Sequence, residues 1–288
     1  MSVSAKVIAD SKFRHDRLIS LEIELHRFVL PEFNTHRSVS RNFQSSRAVP
    51  VKQMIEQVMY NPAMPVHWGK NEPGMVANEQ VSEGMLQASK ECWIKTAKEA
   101  ARRAEIFADM GLHKQIVNRI LEPFMWTKGV ATATIDDWQA FLKLRLHKDA
   151  QPEIKALAYE IGQAIINSSS AELSDGDWHM PYFGDGYYLK GCGIDVEQAV
   201  MISASCAGQV SYRKLDDSLE KAKKIYDMLN LPSEGLYPEN PPHFSPTEHQ
   251  VMFERGSCKS LSGNFHKEGF IQYRKALEFG IEKELLEK

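Results

Sequence analysis

Residues 18–26, LISLEIELH, alternate without a break: Ile19, Leu21, Ile23 and Leu25 point one way, and Ser20, Glu22, Glu24 and His26 the other. A period of two places one set on each face of a pleated strand, so this stretch reads as a half-buried strand. Elsewhere the period is helical. In residues 83–110, Leu86, Trp93, Ala97, Ala100, Ala104 and Phe107 share one face, with Gly111 placed to cap the C-terminus. PEIKALAYEIGQAII sets Ile154, Leu157, Ile161 and Ile165 on one stripe, with Pro152 in the first turn. DDWQAFLKLRL opens on two acids, which suit a helix N-terminus. Further helices are expected at about 50–60, 196–208 and 217–230. HKQIVNRILEPF should run helically to Pro123, and MWTKGVATATI, small and β-branched, should form a strand.

A chain of 288 residues suits one large domain or two small ones, with ample core. No apolar run approaches the roughly 20 residues of a membrane helix, and the opening MSVSAKVIADSKFRHDR lacks the apolar centre of a signal peptide. Cys92, Cys192, Cys206 and Cys258 are scattered without a C-x-x-C pair, which points to a reducing, cytoplasmic setting and away from structural zinc. A net charge of −3 disfavours general nucleic-acid binding, so any anion site must be local. The glycine-rich stretch 168–195 is the best boundary, separating 1–167 from 196–288; the two are expected to pack as one compact domain.

The local concentration of positive charge lies in EFNTHRSVSRNFQSSRAVPV, residues 32–51. His36, Arg37, Arg41 and Arg47 gather there, and no acid follows Glu32 until Glu56. Guanidinium groups offer paired charge-assisted hydrogen bonds and serines add neutral donors, so Ser45, Ser46 and Arg47 can grip a phosphate. The same composition also fits a solvated loop.

The order of these residues resembles the signature of the flavin-dependent thymidylate synthases, R-H-R, seven residues, Ser, and Arg two further on. It stands here as Thr35-His36-Arg37, then Ser45 and Arg47, with Asn42 also in place. Thr35 replaces the first Arg. FLKLRLHKDAQPEI resembles a later helix of the same family, and VNRILEP a shorter segment of it. The resemblance implies a mixed α/β (α+β) fold with a mainly antiparallel sheet flanked by long helices. It implies that Thr35, His36, Arg37 and Asn42 hold FAD. Glu32, Gln44, Ser45, Ser46, Arg47 and Arg119 would then bind dUMP, and Arg145 would contact and activate the pyrimidine.

Family members usually carry, ahead of this signature, an A-R-V-S segment, a helix and an H-x-[ST]-P-F-E-H turn. Here AGQVSY lies at 207–212 and HFSPTEH at 243–249, with a helix expected between them. Gly208-Gln209 replaces Ala-Arg and Thr247 replaces Phe. The pieces keep the family's order but are displaced behind the signature, which implies a circular permutation. Ser211, His243 and Ser245 would then rejoin the FAD site. SPTE is equally a plain helix start, with Ser245 as N-cap and Glu248 three residues on.

The function implied by the resemblance is reductive methylation of dUMP, with methylenetetrahydrofolate and NADPH as co-substrates, by a cytoplasmic homotetramer that shares its active sites between subunits. Two other readings stay open: a hydroxymethylase acting on dUMP or dCMP, and a non-catalytic nucleotide- or RNA-binding protein. Neither metal, membrane nor nucleic-acid partner is expected. Residues 250–288 match nothing in the family pattern.

Overall fold

The computed structural model describes residues 2–210, 215–229 and 245–287. It opens on a hairpin, β1 (Ser4–Phe13) and β2 (Asp16–His26), then the short α1 (Leu30–Phe33), β3 (Ser40–Phe43), α2 (Val51–Tyr60), α3 (Glu83–Asp109) and α4 (Lys114–Val117). A 3-10 segment, Asn118–Phe124, leads into β4 (Trp126–Thr134), followed by α5 (Ile135–Arg145) and α6 (Pro152–Ile166). The remainder holds β5 (Ala171–Glu172), β6 (Trp178–His179), β7 (Tyr187–Tyr188), α7 (Val196–Gln209), α8 (Leu219–Leu229), β8 (Val251–Phe253), β9 (Phe270–Gln272), α9 (Tyr273–Phe279) and α10 (Glu282–Leu286). Two sheets form, in the orders β3-β4-β2-β1-β5 and β7-β6-β8-β9. Every described pair is antiparallel except β1 with β5. The fold is thus mixed, with antiparallel pairing dominant, as the resemblance implies.

The alternation in β2 meets its apolar layer. Ile19, Leu21, Ile23 and Leu25 pack against Trp138 and Phe141 of α5 and against Ile154, Leu157, Ile161 and Ile165 of α6. Thr134 caps α5 by accepting from the Asp137 backbone N–H, so the acids at the start of α5 sit where the helix dipole favours them. Met110 closes α3, and Gly111 follows with φ 80°, a conformation open to glycine at little cost.

The other face of β2 is covered as well, which alternation alone does not foretell. Ser20 is fully buried, and the second sheet supplies its partner. A buried polar line runs from Ser11 Oγ to His179 Nδ1 at 2.8 Å, from His179 Nε2 to Ser20 Oγ at 2.8 Å, on to Thr132 Oγ1, and from there to His249 Nδ1 at 2.8 Å. It ties β1, β2 and β4 of the large sheet to β6 and the end of the Ser245–Glu248 turn. β6 and β7 arise within the 168–195 connection, which therefore contributes strands to the second sheet. Among the described residues no helix is long and apolar enough to cross a membrane.

Burial pushes His179 and His249 down to about 3, so both imidazoles are neutral at ordinary pH. The unfolded chain protonates them near 6.5, and the folded chain only near 3. Stability must therefore fall as pH drops through that window, by about 1.4 kcal/mol per pH unit for each histidine. Urea midpoints measured between pH 7 and pH 5 should drop accordingly. His179→Gln keeps hydrogen-bonding capacity between Ser11 and Ser20, and its midpoint should depend less on pH. Equal pH dependence in the two proteins would rule out the buried imidazole as the cause.

Candidate functional site

α1 and the turn after it fold the His-Arg pair back onto α5. Backbone N–H groups of Asn34, Thr35 and His36 donate to the carbonyls of Leu30, Glu32 and Phe33 at 2.9, 3.1 and 3.2 Å. Phe33 is fully buried and meets Phe141 edge-on, with ring centroids 5.6 Å apart; the His36 ring lies 4.8 Å from Phe141 in the same manner. Arg145 stands one helical turn beyond Phe141, on the same face of α5. Its guanidinium therefore arrives among α1 residues far away in sequence.

The contacts there are specific. Arg145 donates through Nη1 to Glu32 Oε1, through Nε to His36 Nε2 at 2.9 Å, and through Nη2 to Thr35 Oγ1 at 3.4 Å. The arginine side chain is only 13% exposed, so this pair is substantially desolvated. His36 Nε2 can accept from Arg145 only if that nitrogen carries no proton, which requires neutral imidazole. Burial, then the cations of Arg145 and Arg41, push His36 down to about 4, in agreement with that role.

The serine-arginine turn is positioned by β3 and β4. Asn42 and Phe43 pair with Val130 and Gly129, and a Cβ on Gly129 would come within 2.4 Å of the Phe43 ring and 2.6 Å of the Asn42 carbonyl. Glycine is thus required by close approach. Beyond it, Ser46 is buried and donates to Glu122 Oε1 at 2.7 Å, while Asn118 Nδ2 donates to the carbonyls of Ser46 and Val49 at 2.7 and 3.0 Å. Glu122 also receives Arg119 at 2.9 Å and lies 3.8 Å from Arg27. Arg27 reaches the Gln44 carbonyl at 3.2 Å. A cavity of about 450 Å³ opens between Arg27, Arg119 and Glu122 on one side and Pro31 and Asn34 on the other. Ser45 lies at the turn, its hydroxyl accepting from the Arg47 N–H at 3.3 Å, and the Arg47 side chain is exposed.

A third group joins the two ends of the chain. Asn42 Nδ2 donates to the Ala207 carbonyl at 2.8 Å, and Ser245 Oγ donates to Asn42 Oδ1 at 3.2 Å. Arg37 and Ser245 line a separate cavity of about 390 Å³. Ser211 and His243 lie outside the described residues.

The structure thus brings Glu32, Thr35, His36 and Arg145 into one cluster, Gln44, Ser46 and Arg119 into a second, and Asn42 with Ser245 into a third. Thr35 and His36 stand with Arg145 rather than beside Asn42. Three participants had no sequence assignment: Arg27, Arg41 and Glu122. Arg27 follows directly on the alternating strand, and Glu122 sits within the same VNRILEP segment as Arg119; those positions are the only sequence signal for either. Arg41 is anchored by the Asn34 side chain at 2.9 Å and the Val39 carbonyl at 2.8 Å.

The sequence model of the family described as thymidylate synthase complementing protein matches residues 11–167. Among solved structures, the UMP/dUMP methylase PolB from Streptomyces cacaoi bound with 5-Br dUMP is 15% identical, over 57% of this chain and 90% of that chain, with a TM-score of 0.48. The same protein bound with 5-Br UMP is 16% identical, over 57% and 89%, with a TM-score of 0.46. Thymidylate Synthase X from Helicobacter pylori, with FAD and dUMP, is 18% identical, over 51% and 67%, with a TM-score of 0.36. No curated protein matches the chain.

If Arg145 helps to hold His36 neutral, its removal must raise the imidazole's affinity for protons. In Arg145→Gln, NMR titration of the His36 ring should move upward from about 4, stopping short of 6.5 because burial is the larger cause. A titration that stays put or moves lower would dissociate the two residues.

Proposed function

The chain belongs to the thymidylate synthase complementing protein family, and on that premise we propose that it is a flavin-dependent enzyme that adds one carbon to C5 of a pyrimidine deoxynucleotide monophosphate. The favoured reaction is methylation of dUMP, with methylenetetrahydrofolate as carbon donor and NADPH as reductant. One observation carries the reading: the largely buried guanidinium of Arg145 is oriented by three side chains, one of them a neutral imidazole. A cation held in a partly desolvated place stabilises negative charge that spreads over a pyrimidine as its C5 becomes nucleophilic.

The residues have the chemistry to do the rest. Ser46, Arg119 and Arg27 surround the Glu122 carboxylate, an anion held where a phosphate would find the same donors. Ser45 and Arg47 on the same turn add a hydroxyl and a guanidinium to that reading of the phosphate site, and the Gln44 carbonyl helps to place Arg27. Glu32 is the partner that a bound base must share or displace from Arg145. The donor set also fits a flavin nucleotide: Arg37 and Ser245 line one cavity, Asn42 is fixed beside Ser245, and the local charge is positive. Bound there, FAD would supply the redox chemistry, while the chain's own residues bind, orient and polarise. The Ser245–Asn42 hydrogen bond supports a permuted order, since it joins a C-terminal piece to the signature segment.

A hydroxymethylase acting on dCMP has one specific observation in its favour. Glu32 provides a carboxylate at the edge of Arg145, and carboxylates accept well from the exocyclic amino group of cytosine.

The test is product identification. The protein is incubated anaerobically with FAD, NADPH and methylenetetrahydrofolate, with dUMP and dCMP offered in parallel, and the nucleotides are weighed by mass spectrometry. A methyl group gained on dUMP is the expected result; a hydroxymethyl group on either nucleotide would transfer the protein to the second reading. Arg145→Ala should lower turnover by at least about a hundredfold, the scale of losing one electrostatic donor to a developing anion, while retaining FAD. Loss of flavin or of folding in that variant would remove the role assigned to Arg145.

A further inference from the structure

The cavity of about 390 Å³ is walled by residues from both ends of the chain. Arg37 and Arg41 come from the signature segment. Glu248, Arg274, Lys275 and Glu278 come from beyond residue 167, where the family match ends. Four cations thus face two carboxylates. Glu278 is held by Arg274 at 2.6 Å and Lys275 at 2.5 Å. Burial raises the Glu248 carboxyl above the usual range despite Arg274 and Arg41 nearby. The cavity is left with about two positive charges unbalanced.

Its walls are built before any ligand arrives. Gln272 is 2% exposed and donates through Nε2 to the Glu248 carbonyl at 2.9 Å and to Asn264 Oδ1 at 3.0 Å. Asn264 in turn donates to the Ser38 carbonyl at 2.7 Å and accepts from Ser40 Oγ at 2.8 Å. These bonds lock the C-terminal residues onto the loop that carries Arg37 and Arg41. Gly263 lets the backbone pass Gln272, since a Cβ there would fall 2.1 Å from Gln272 Oε1. Arg41 is fixed through its bonds to Asn34 and Val39.

We propose that Arg274 and Lys275 join Arg37 and Arg41 in holding the diphosphate of a dinucleotide cofactor, so that α9 completes the cofactor site. This rests on the flavin reading above. Guanidinium groups match phosphate oxygens in pairs, and a diphosphate diester carries the two negative charges that the cavity leaves unbalanced. Arg274 and Lys275 reach the diphosphate by exchanging Glu278 for it.

The experiment measures equilibrium binding to the full chain of FAD, of riboflavin, which lacks the diphosphate, and of ADP. In the double variant Arg274→Gln, Lys275→Gln, FAD and ADP should each weaken by at least about tenfold, as expected for loss of charged hydrogen bonds. Riboflavin should be unchanged. Glu278→Gln frees both cations and should tighten ADP. Thermal unfolding reports whether either variant is folded, and the opposite sign of the two effects separates anion binding from general damage. FAD affinity unchanged in the double variant, or riboflavin weakened equally, would overturn the diphosphate site and leave the flavin reading standing. ADP bound by wild type, weakened in the double variant, with no flavin bound at all, would overturn the flavin reading and keep the anion site. Binding of none of the three overturns both.

Discussion

The pairing of β2 with β4, with both faces of β2 covered, is the constraint from which the candidate site follows. The register runs from Leu18 opposite Thr134 to His26 opposite Trp126. It sets the end of β2 beside the start of β4, and the Arg27 N–H donates to the Met125 carbonyl at 2.8 Å. Arg27 therefore emerges next to the 3-10 segment that carries Arg119 and Glu122. β3 adds to the other edge of β4, and its register carries the Gln44–Arg47 turn to the same corner. A slip of one residue in either pairing would turn every side chain to the opposite face. It would bury Glu22 and Glu24 against α5 and α6 and scatter the cations. The apolar face of β2 thus fixes the position of polar residues that it never touches.

The long periodic elements were legible in the sequence because each carries its own pattern. β2, β4, α2, α3, α5, α6, α7 and α8 all lie where periodicity, caps and prolines put them, with boundaries differing by a few residues. β1 carries a weaker pattern: Ile8 and Ser11 break the apolar alternation, and the register shifts between Val7 and Ala9. The second sheet was equally hidden. Its strands are two or three residues long, too short to show a period, and β6 meets β8 across more than seventy residues of chain. Their stability comes from packing and from the His179 line, neither of which is local. β2 ends at His26, and Pro31 sits in the first turn of α1, where its missing N–H costs nothing.

Within the site, the residues that a linear signature marks were legible and their partners were not. His36, Arg37, Ser46 and Arg119 stand in recognisable surroundings. Glu122, Arg27 and Arg41 matter only through space. The same holds for Arg274 and Lys275, which lie in the 250–288 segment that matches nothing in the family pattern. What brings them into a cavity is the hydrogen-bonded relay of Gln272, Asn264 and Ser40, and no spacing rule connects residues 40 and 272.

A shared physical pattern links the three charged clusters. In each, the chain's own carboxylate occupies the cation: Glu32 on Arg145, Glu122 on Arg119, Glu278 on Arg274 and Lys275. An arginine with no anion in a partly buried place would be costly, because its desolvation would go uncompensated. These carboxylates hold the guanidiniums in usable orientations and limit that cost. Each remains about a quarter or more exposed, at 29%, 28% and 26% for Glu32, Glu122 and Glu278, so water can receive it when another anion takes its place. Exchange of one anion for another changes the charge balance little, which favours reversible binding over very tight binding. A site that must release a nucleotide after each turnover is well served by cations held this way.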